Sequence, residues 1–199
     1  PGLKRLLEKG PVKAMEVHSG ISALIANDAF VEDQKEKREF DALWISSFTE
    51  TACKGHPDAD ILGFDSRLDT INQVIDCSSK PILVDGDTGC DPNFFEYMVK
   101  KLERLGVSGV IIEDKRYPKR NSLDADAKQE LEDPDSIAEK IRRGKAMQLT
   151  DDFMIIGRIE SLISGLTVED ALMRARKYLK AGADGIMIHS KSISPQDIL

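Results

Sequence analysis

In the stretch EDKRYPKRNSL, Glu113 to Leu123, two acids end an apolar run and meet four cations, followed by an amide and a hydroxyl. A solvated turn would explain the polarity but not the order. Acids at a strand end suit a metal ion, and a cationic loop carrying Asn121 and Ser122 suits closure over an anion. Asp85 and Asp87 in VDGDTG lie two residues apart, so on a strand both carboxylates leave by one face. Beside Glu113 on the next strand they form a hard-oxygen set that suits Mg²⁺, which keeps several waters and bridges to an oxyanion. The alternative is that the two Asp residues cap the helix beginning near Pro92. The cost of burying an acid cluster without a cation favours the metal.

Other strand ends carry reactive residues too. Arg158 follows FMII and precedes Glu160 by two; an inward Arg there pairs with a carboxylate or a phosphate, bidentately where geometry permits. The plainer outcome is a salt bridge to Glu160 or Glu113. His189 suits donation to a substrate oxygen or proton transfer, against the alternative of a satisfied core histidine. Lys115, Arg116, Lys119 and Arg120 are either solvated charges or members of a loop that orders over a ligand and excludes water. Trp44, the single tryptophan, is core or the wall of a small pocket.

Positioning these residues requires a regular scaffold. Six apolar runs fall at 13–17, 40–47, 81–87, 109–114, 153–160 and 185–190, nearly continuous in Val, Ile, Leu and Met, as in parallel strands buried on both faces. Between them lie helical patterns such as PNFFEYMVKKLERLG and TVEDALMRARKYLKAG, opened by Pro or a Thr-containing cap and closed by Gly. LERLGVSGVIIED (102–114) aligns with YLKAGADGIMIHS (178–190), pairing Gly106 with Gly182, Gly109 with Gly185 and Glu113 with His189. Such repeated units favour a barrel over an open sheet. The fold class is therefore α/β, a (β/α)8 TIM-type barrel apparently truncated after the sixth strand, with residues 1–199 as one domain. SPQDIL at the end reads as the start of a further helix. Ser46, Ser47, Asp85, Asp87, Glu113, Arg158, Glu160 and His189 all follow apolar runs and would share one barrel face, where active sites are built.

Bulk composition narrows the class. The chain has 199 residues, 41% hydrophobic and 32% charged, with net charge −7. No basic stripe suits nucleic acid, and no apolar run approaches the roughly 20 residues of a membrane span. PGLKRLLEKG lacks the apolar region of a signal peptide. Cys53, Cys77 and Cys90 are odd in number and lack CxxC spacing, which implies reduced thiols and a cytoplasmic protein.

Together, DALWISSFTETACKGHPDAD, LVDGDTG, IIEDKRYPKRNSL, GRIES and ADGIMIHSK resemble the phosphoenolpyruvate mutases of the isocitrate lyase/PEP mutase superfamily, from about Val12 to Lys191. EDK-x-x-PK-x-NSL is the most specific element. The resemblance implies a Mg²⁺-dependent interconversion of phosphoenolpyruvate and phosphonopyruvate in a homo-oligomer, dimer or tetramer. It implies Asp85 as the most direct Mg²⁺ ligand, with Asp58, Asp87 and Glu113 acting through water. Ser46 and the N–H groups of Ser47 and Phe48 would bind the pyruvyl oxygens, with Trp44 lining the site. Arg158 and His189 would hold the phosphoryl group. Lys119, Asn121, Ser122 and Leu123 would belong to a gating loop, Asn121 touching the transferring group. Asp58 is a candidate nucleophile, and dissociative transfer fits the same residues.

The resemblance also sets the alternatives. The isocitrate-type lyases carry a loop cysteine that this loop lacks, and the decarboxylases lack the NSL loop. Phosphonopyruvate hydrolase has Thr where this chain has Asn121, which favours the mutase. A catalytically inactive barrel or interaction domain is the reading from another class. Three features depart from the family pattern: DTGCDPN after the Asp pair, Ser47 where Gly is common, and a long segment between His18 and Trp44.

Overall fold

The computed structural model describes residues 2–33, 36–124 and 126–194. Six strands form one parallel sheet whose order follows the chain: β1 (Ala14–Val17), β4 (Ala42–Ile45), β5 (Ile82–Asp85), β6 (Gly109–Glu113), β7 (Met154–Ile159) and β8 (Gly185–Ile188). Successive strands side by side, joined through helices, are the wall of a (β/α) barrel. The helices are α1 (Gly2–Leu7), α2 (Gly20–Asp28), α3 (Ser47–Cys53), α4 (Phe64–Cys77), α5 (Pro92–Arg104), α6 (Pro134–Ala146) and α7 (Val168–Lys180). A separate antiparallel hairpin, β2 (Phe30–Glu32) and β3 (Lys37–Glu39), takes up the long segment before Trp44. The sequence pattern did not reveal it, because both strands are short and exposed throughout and so carry no burial signature.

Helices α5, α6 and α7 begin at side-chain caps. Asp91 accepts from the N–H groups of Asn93 and Phe94 ahead of Pro92, and Asp133 accepts from those of Asp135 and Ser136 ahead of Pro134. Thr167 accepts from Asp170 N–H at the start of α7. Asp91 is thus the acid that caps α5, a task the sequence also allowed to Asp85 and Asp87. Gly106 and Gly182 leave their helices at φ 86° and 106°, which side chains disfavour. The two repeat units therefore end alike, and Glu113 and His189 stand at equivalent strand ends.

Strand alternation divides the chemistry. Leu43, Ile45, Val84, Val110, Ile112 and Ile155 face outward into one large core with Ile71, Phe95, Ile141 and Tyr178 of the helices. On the other face Ala42 and Met154, with Leu83 and Ile156, pack with Leu3 of α1. Farther along the same inward positions come Trp44, Asp85, Glu113 and Arg158. A two-residue period thus places packing low in the barrel and polar groups at its C-terminal end.

The strands stop short of the apolar runs at this end: β4 ends at Ile45, β5 at Asp85 and β8 at Ile188. Asp87 therefore lies off the strand, in a turn with φ 53°. Gly86 N–H bonds to Ile111 and Glu113 N–H bonds to Asp87 O, so the turn is still tied to β6. The expected helix start in SPQDIL falls mainly on residues 195–199, outside the described residues.

Candidate active site

A cavity of about 190 Å³ opens at the C-terminal ends of the strands. Trp44, Ser46, Ser47, Phe48, Asp58, Asp85, Glu113, Lys119, Asn121, Ser122, Leu123, Arg158 and His189 line it. Of the predicted site residues only Asp87 is absent from the lining, and it lies directly behind, bonded to Lys119.

Arg158 organises the floor. It is the register partner of Glu113 across β6 and β7. Its guanidinium reaches Asp85 at 3.0 Å, Glu160 at 3.0 Å and the Glu113 carboxylate. Burial disfavours its charge, but Asp85, Glu113 and Glu160 outweigh that and hold the group firmly protonated. Both outcomes considered for Arg158 bear on one place: it forms salt bridges to Glu113 and Glu160, and it also faces the cavity.

The loop after β6 covers the site. Lys119 Nζ lies 2.8 Å from Asp58, 2.7 Å from Asp87 and 3.1 Å from Ser47 Oγ. Asn121 Nδ2 donates to Asp58 at 2.9 Å. Lys119 and Lys115 are buried, whereas Arg116 and Arg120 are exposed, so the cationic run divides into two anchors and two solvated charges. An antiparallel bridge between Lys115 and Leu131 closes the base of the loop.

Several charged residues outside the predicted set complete the site. Arg67 of α4, buried, donates to the Asp85 carbonyl and to Asp87 Oδ2 at 2.7 Å, and pairs with Glu50 at 3.3 Å. Burial would raise the Asp87 carboxyl, but Arg67 and Lys119 hold it far below the usual carboxylate range. A sequence signal existed for Arg67. It shares the buried stripe of α4 with Thr70, Ile71 and Val74, where a charge needs a partner. Lys140 holds the turn from below, donating to the carbonyls of Thr88 and Cys90 at 2.7 and 2.6 Å. Asp60 accepts from Lys119 N–H and Thr88 Oγ1. The three cysteines are free; burial raises the Cys90 thiol to about 11, which suppresses its thiolate.

The acids fit a hydrated hard cation better than a bare protein cage. Among the described residues no three acid, His or Cys side chains converge closely enough to form a cage. Lys119 and Arg158 interleave between the carboxylates instead. Yet Glu113 Oε1 is buried without a hydrogen-bond partner, and burial raises the Glu113 carboxyl. An ion held by one or two carboxylates and several waters would supply what Glu113 lacks.

Comparison with known proteins identifies the family. The family model described as phosphoenolpyruvate phosphomutase matches residues 3–199. The phosphoenolpyruvate phosphomutase of Tetrahymena pyriformis is 38% identical over 185 residues, covering 92% of this chain and 59% of its own. A crystal structure of phosphoenolpyruvate phosphomutase from Streptomyces platensis subsp. rosaceus superposes with TM-score 0.89 at 36% identity, covering 98% of this chain and 66% of that one. A phosphonopyruvate hydrolase solved with oxalate and Mg²⁺ superposes at 0.84 and 32% identity, covering 97% and 63%. The chain spans about three fifths of the length of the curated relatives it matches. By its fold, its strand-end residues and these matches, the chain belongs to the phosphoenolpyruvate phosphomutase family.

Proposed function

We propose that this chain carries the active site of a phosphoenolpyruvate mutase, which moves a phosphoryl group within one molecule between the enol oxygen of phosphoenolpyruvate and C3 of phosphonopyruvate. In the direction of C–P bond formation the P–O bond breaks, the enolate is left behind, and phosphorus bonds to C3. No water takes part. The observation that carries this reading is Asn121, held by Asp58 over the cavity on a loop that also lays Lys119 among the acids.

Ser46 and the N–H groups of Ser47 and Phe48 would bind the pyruvyl carboxylate and enolate oxygens, an oxyanion-hole arrangement. The first-turn N–H groups of a helix such as α3 lack intrahelical acceptors, which leaves them available. Arg158 and His189 would hold the phosphoryl oxygens, and Asn121 would contact the group in transit. Trp44, Phe48 and Leu123 would wall the site while Ser122 and Lys119 keep the loop down, excluding water from a metaphosphate-like species. Asp58 stands beside that path, as nucleophile or as partner of a dissociative transfer. Asp85 would hold Mg²⁺ directly, with Asp58, Asp87 and Glu113 supporting it through water. Bound there, Mg²⁺ supplies charge neutralisation for the pyruvyl oxyanions.

Phosphonopyruvate hydrolysis is the second reading, supported by the hydrolase likeness. A homo-oligomer of the cytoplasm, dimeric or tetrameric, completes the proposal, with neither nucleic acid nor membrane as partner. A net charge of −7 does not favour a nucleic-acid surface, and no helix among the described residues is long and apolar enough to cross a membrane.

Supplying the intact protein with phosphonopyruvate and Mg²⁺ and following products by ³¹P NMR tests the proposal. A phosphoenolpyruvate signal, lost with EDTA and in Asp85→Ala, is the expected result. Phosphate and pyruvate without early phosphoenolpyruvate would make it a hydrolase. A folded, Mg²⁺-binding protein without turnover would make it a binding domain.

A further inference from the structure

We propose that Lys115 and Glu160 form a catch that holds the loop over the cavity and, in the same contact, sets the His189 ring and the Arg158 guanidinium. Both are positioning residues, and the inference rests on the mutase reading of the site.

Glu160, just beyond β7, is fully buried. Its N–H donates to Asp114 Oδ1 at 2.9 Å, and Asp114 is held in turn by Arg174 at 3.1 Å and Tyr178 Oη at 2.8 Å. The backbone of Glu160 is thus fixed from the helix side. Its carboxylate meets three elements at once. Ser122 of the loop donates to Oε2 at 3.1 Å, His189 Nδ1 lies 2.9 Å from Oε1, and Arg158 Nε lies 3.0 Å from Oε1.

Lys115 completes the catch. Its ammonium, almost wholly buried, donates to Ser122 Oγ at 2.5 Å and to the Arg120 carbonyl at 2.9 Å, and lies 3.6 Å from Glu160 Oε2. A buried ammonium must satisfy three donors. Two of its partners belong to the loop, so a lifted loop strips both from Lys115 and one from Glu160. Loop closure and the hydrogen bonding of the buried Lys115–Glu160 pair are therefore one event.

His189 gains an orientation from it. An ionised carboxylate only accepts, so Nδ1 must carry the proton in the bond to Glu160, which leaves Nε2 for the cavity. Arg158 Nε forms an ion pair with the same oxygen, which ties both groups to one carboxylate.

Trypsin cleavage after Arg120, with and without Mg²⁺ and oxalate as the probe, reads loop closure without turnover. Protection by the probe is expected in the unmutated protein. It should fall about ten-fold in Ser122→Ala and in Lys115→Met, the size expected for a lost hydrogen bond to a charged group. The double variant should lose less than the product of the two single losses, since both single variants remove the Lys115–Ser122 contact. Ser122→Thr should restore protection. In turnover the same variants should lower kcat about ten-fold, and Glu160→Gln should do so with little change in KM. Independent, multiplying losses, or unchanged protection in Ser122→Ala and Lys115→Met, would overturn the catch. Should Lys115→Met fail to fold, Ser122→Ala against Ser122→Thr still decides. Protection that depends on Ser122 in a protein without mutase turnover keeps the catch and removes the mutase reading. Turnover with protection indifferent to Ser122 does the reverse.

Discussion

Asn121 donates its side-chain amide to Asp58 across 2.9 Å, joining residues 63 positions apart in sequence. One belongs to the loop after β6 and the other to the connection between α3 and α4. The contact brings the amide to the cavity that Lys119, Arg158 and His189 also line. Activity should depend on this contact more than stability does.

Replacing Asn121 by Ala should therefore lower mutase turnover about 100-fold, the scale for one preorganised donor to a reacting group. Chemical denaturation midpoints should move little. Asn121→Thr should shift product from phosphoenolpyruvate towards phosphate and pyruvate, read by ³¹P NMR; an unchanged product ratio would remove Asn121 as the deciding residue.

Arg158→Lys should fail to rescue Arg158→Ala. A lysine is a point charge and cannot reach Asp85, Glu113 and Glu160 together as the planar guanidinium does. Steady-state kinetics should give near-equal losses for both variants, and recovery in the lysine variant would mean that charge alone suffices.

For the metal, Glu113→Gln should weaken Mg²⁺ binding by about 10–100-fold, the usual effect of a supporting partner. Titration calorimetry checks it independently of turnover. Mg²⁺ affinity equal to that of the unmutated protein would show that Glu113 serves Arg158 alone.

Arg67→Ala should destabilise the fold by about 3–5 kcal/mol, because it leaves buried Asp87 and Glu50 without their main cation. Urea denaturation measures it. A loss below about 1 kcal/mol would mean that Lys119, beside Asp87, and Lys54, which lies 2.9 Å from Glu50, compensate fully.

Acid should act on stability through Glu160. Burial would raise its carboxyl, but the His189 hydrogen bond and the Arg158 and Lys115 charges hold it at about 2, against an ordinary 4.5. A depressed folded pKa gives stability that is complete above the ordinary value and fades as pH falls towards 2. The stability gap between the unmutated protein and Glu160→Gln should accordingly narrow over that window. Urea midpoints at a series of pH values read it, and a gap that widens on acidification would contradict the sign.

Much of this is legible in the sequence. The apolar runs marked the six barrel strands, because strands buried on both faces must be apolar nearly throughout. The GxxG repeat placed Glu113 and His189 at equivalent ends, and the order of residues in EDKRYPKRNSL marked the loop. The β2–β3 hairpin escaped because neither strand buries a face. The spacing of VDGDTG predicts Asp87 on the strand, whereas the strand ends two positions earlier and a left-handed turn delivers its carboxylate.

What the sequence determined by itself was therefore periodic or local: strand and helix alternation, the barrel end at which polar groups collect, and a motif that names the family. Which charges meet is not periodic. Lys119 and Asp58, Arg67 and Asp87, and Lys115, Ser122 and Glu160 are brought together by barrel curvature and loop closure. Burial then turns ordinary surface residue types into obligate partners, since a charge removed from water must find its counter-charge at hydrogen-bond distance. Only the tertiary structure could decide that Lys115 is an anchor while its neighbour Arg116 faces solvent.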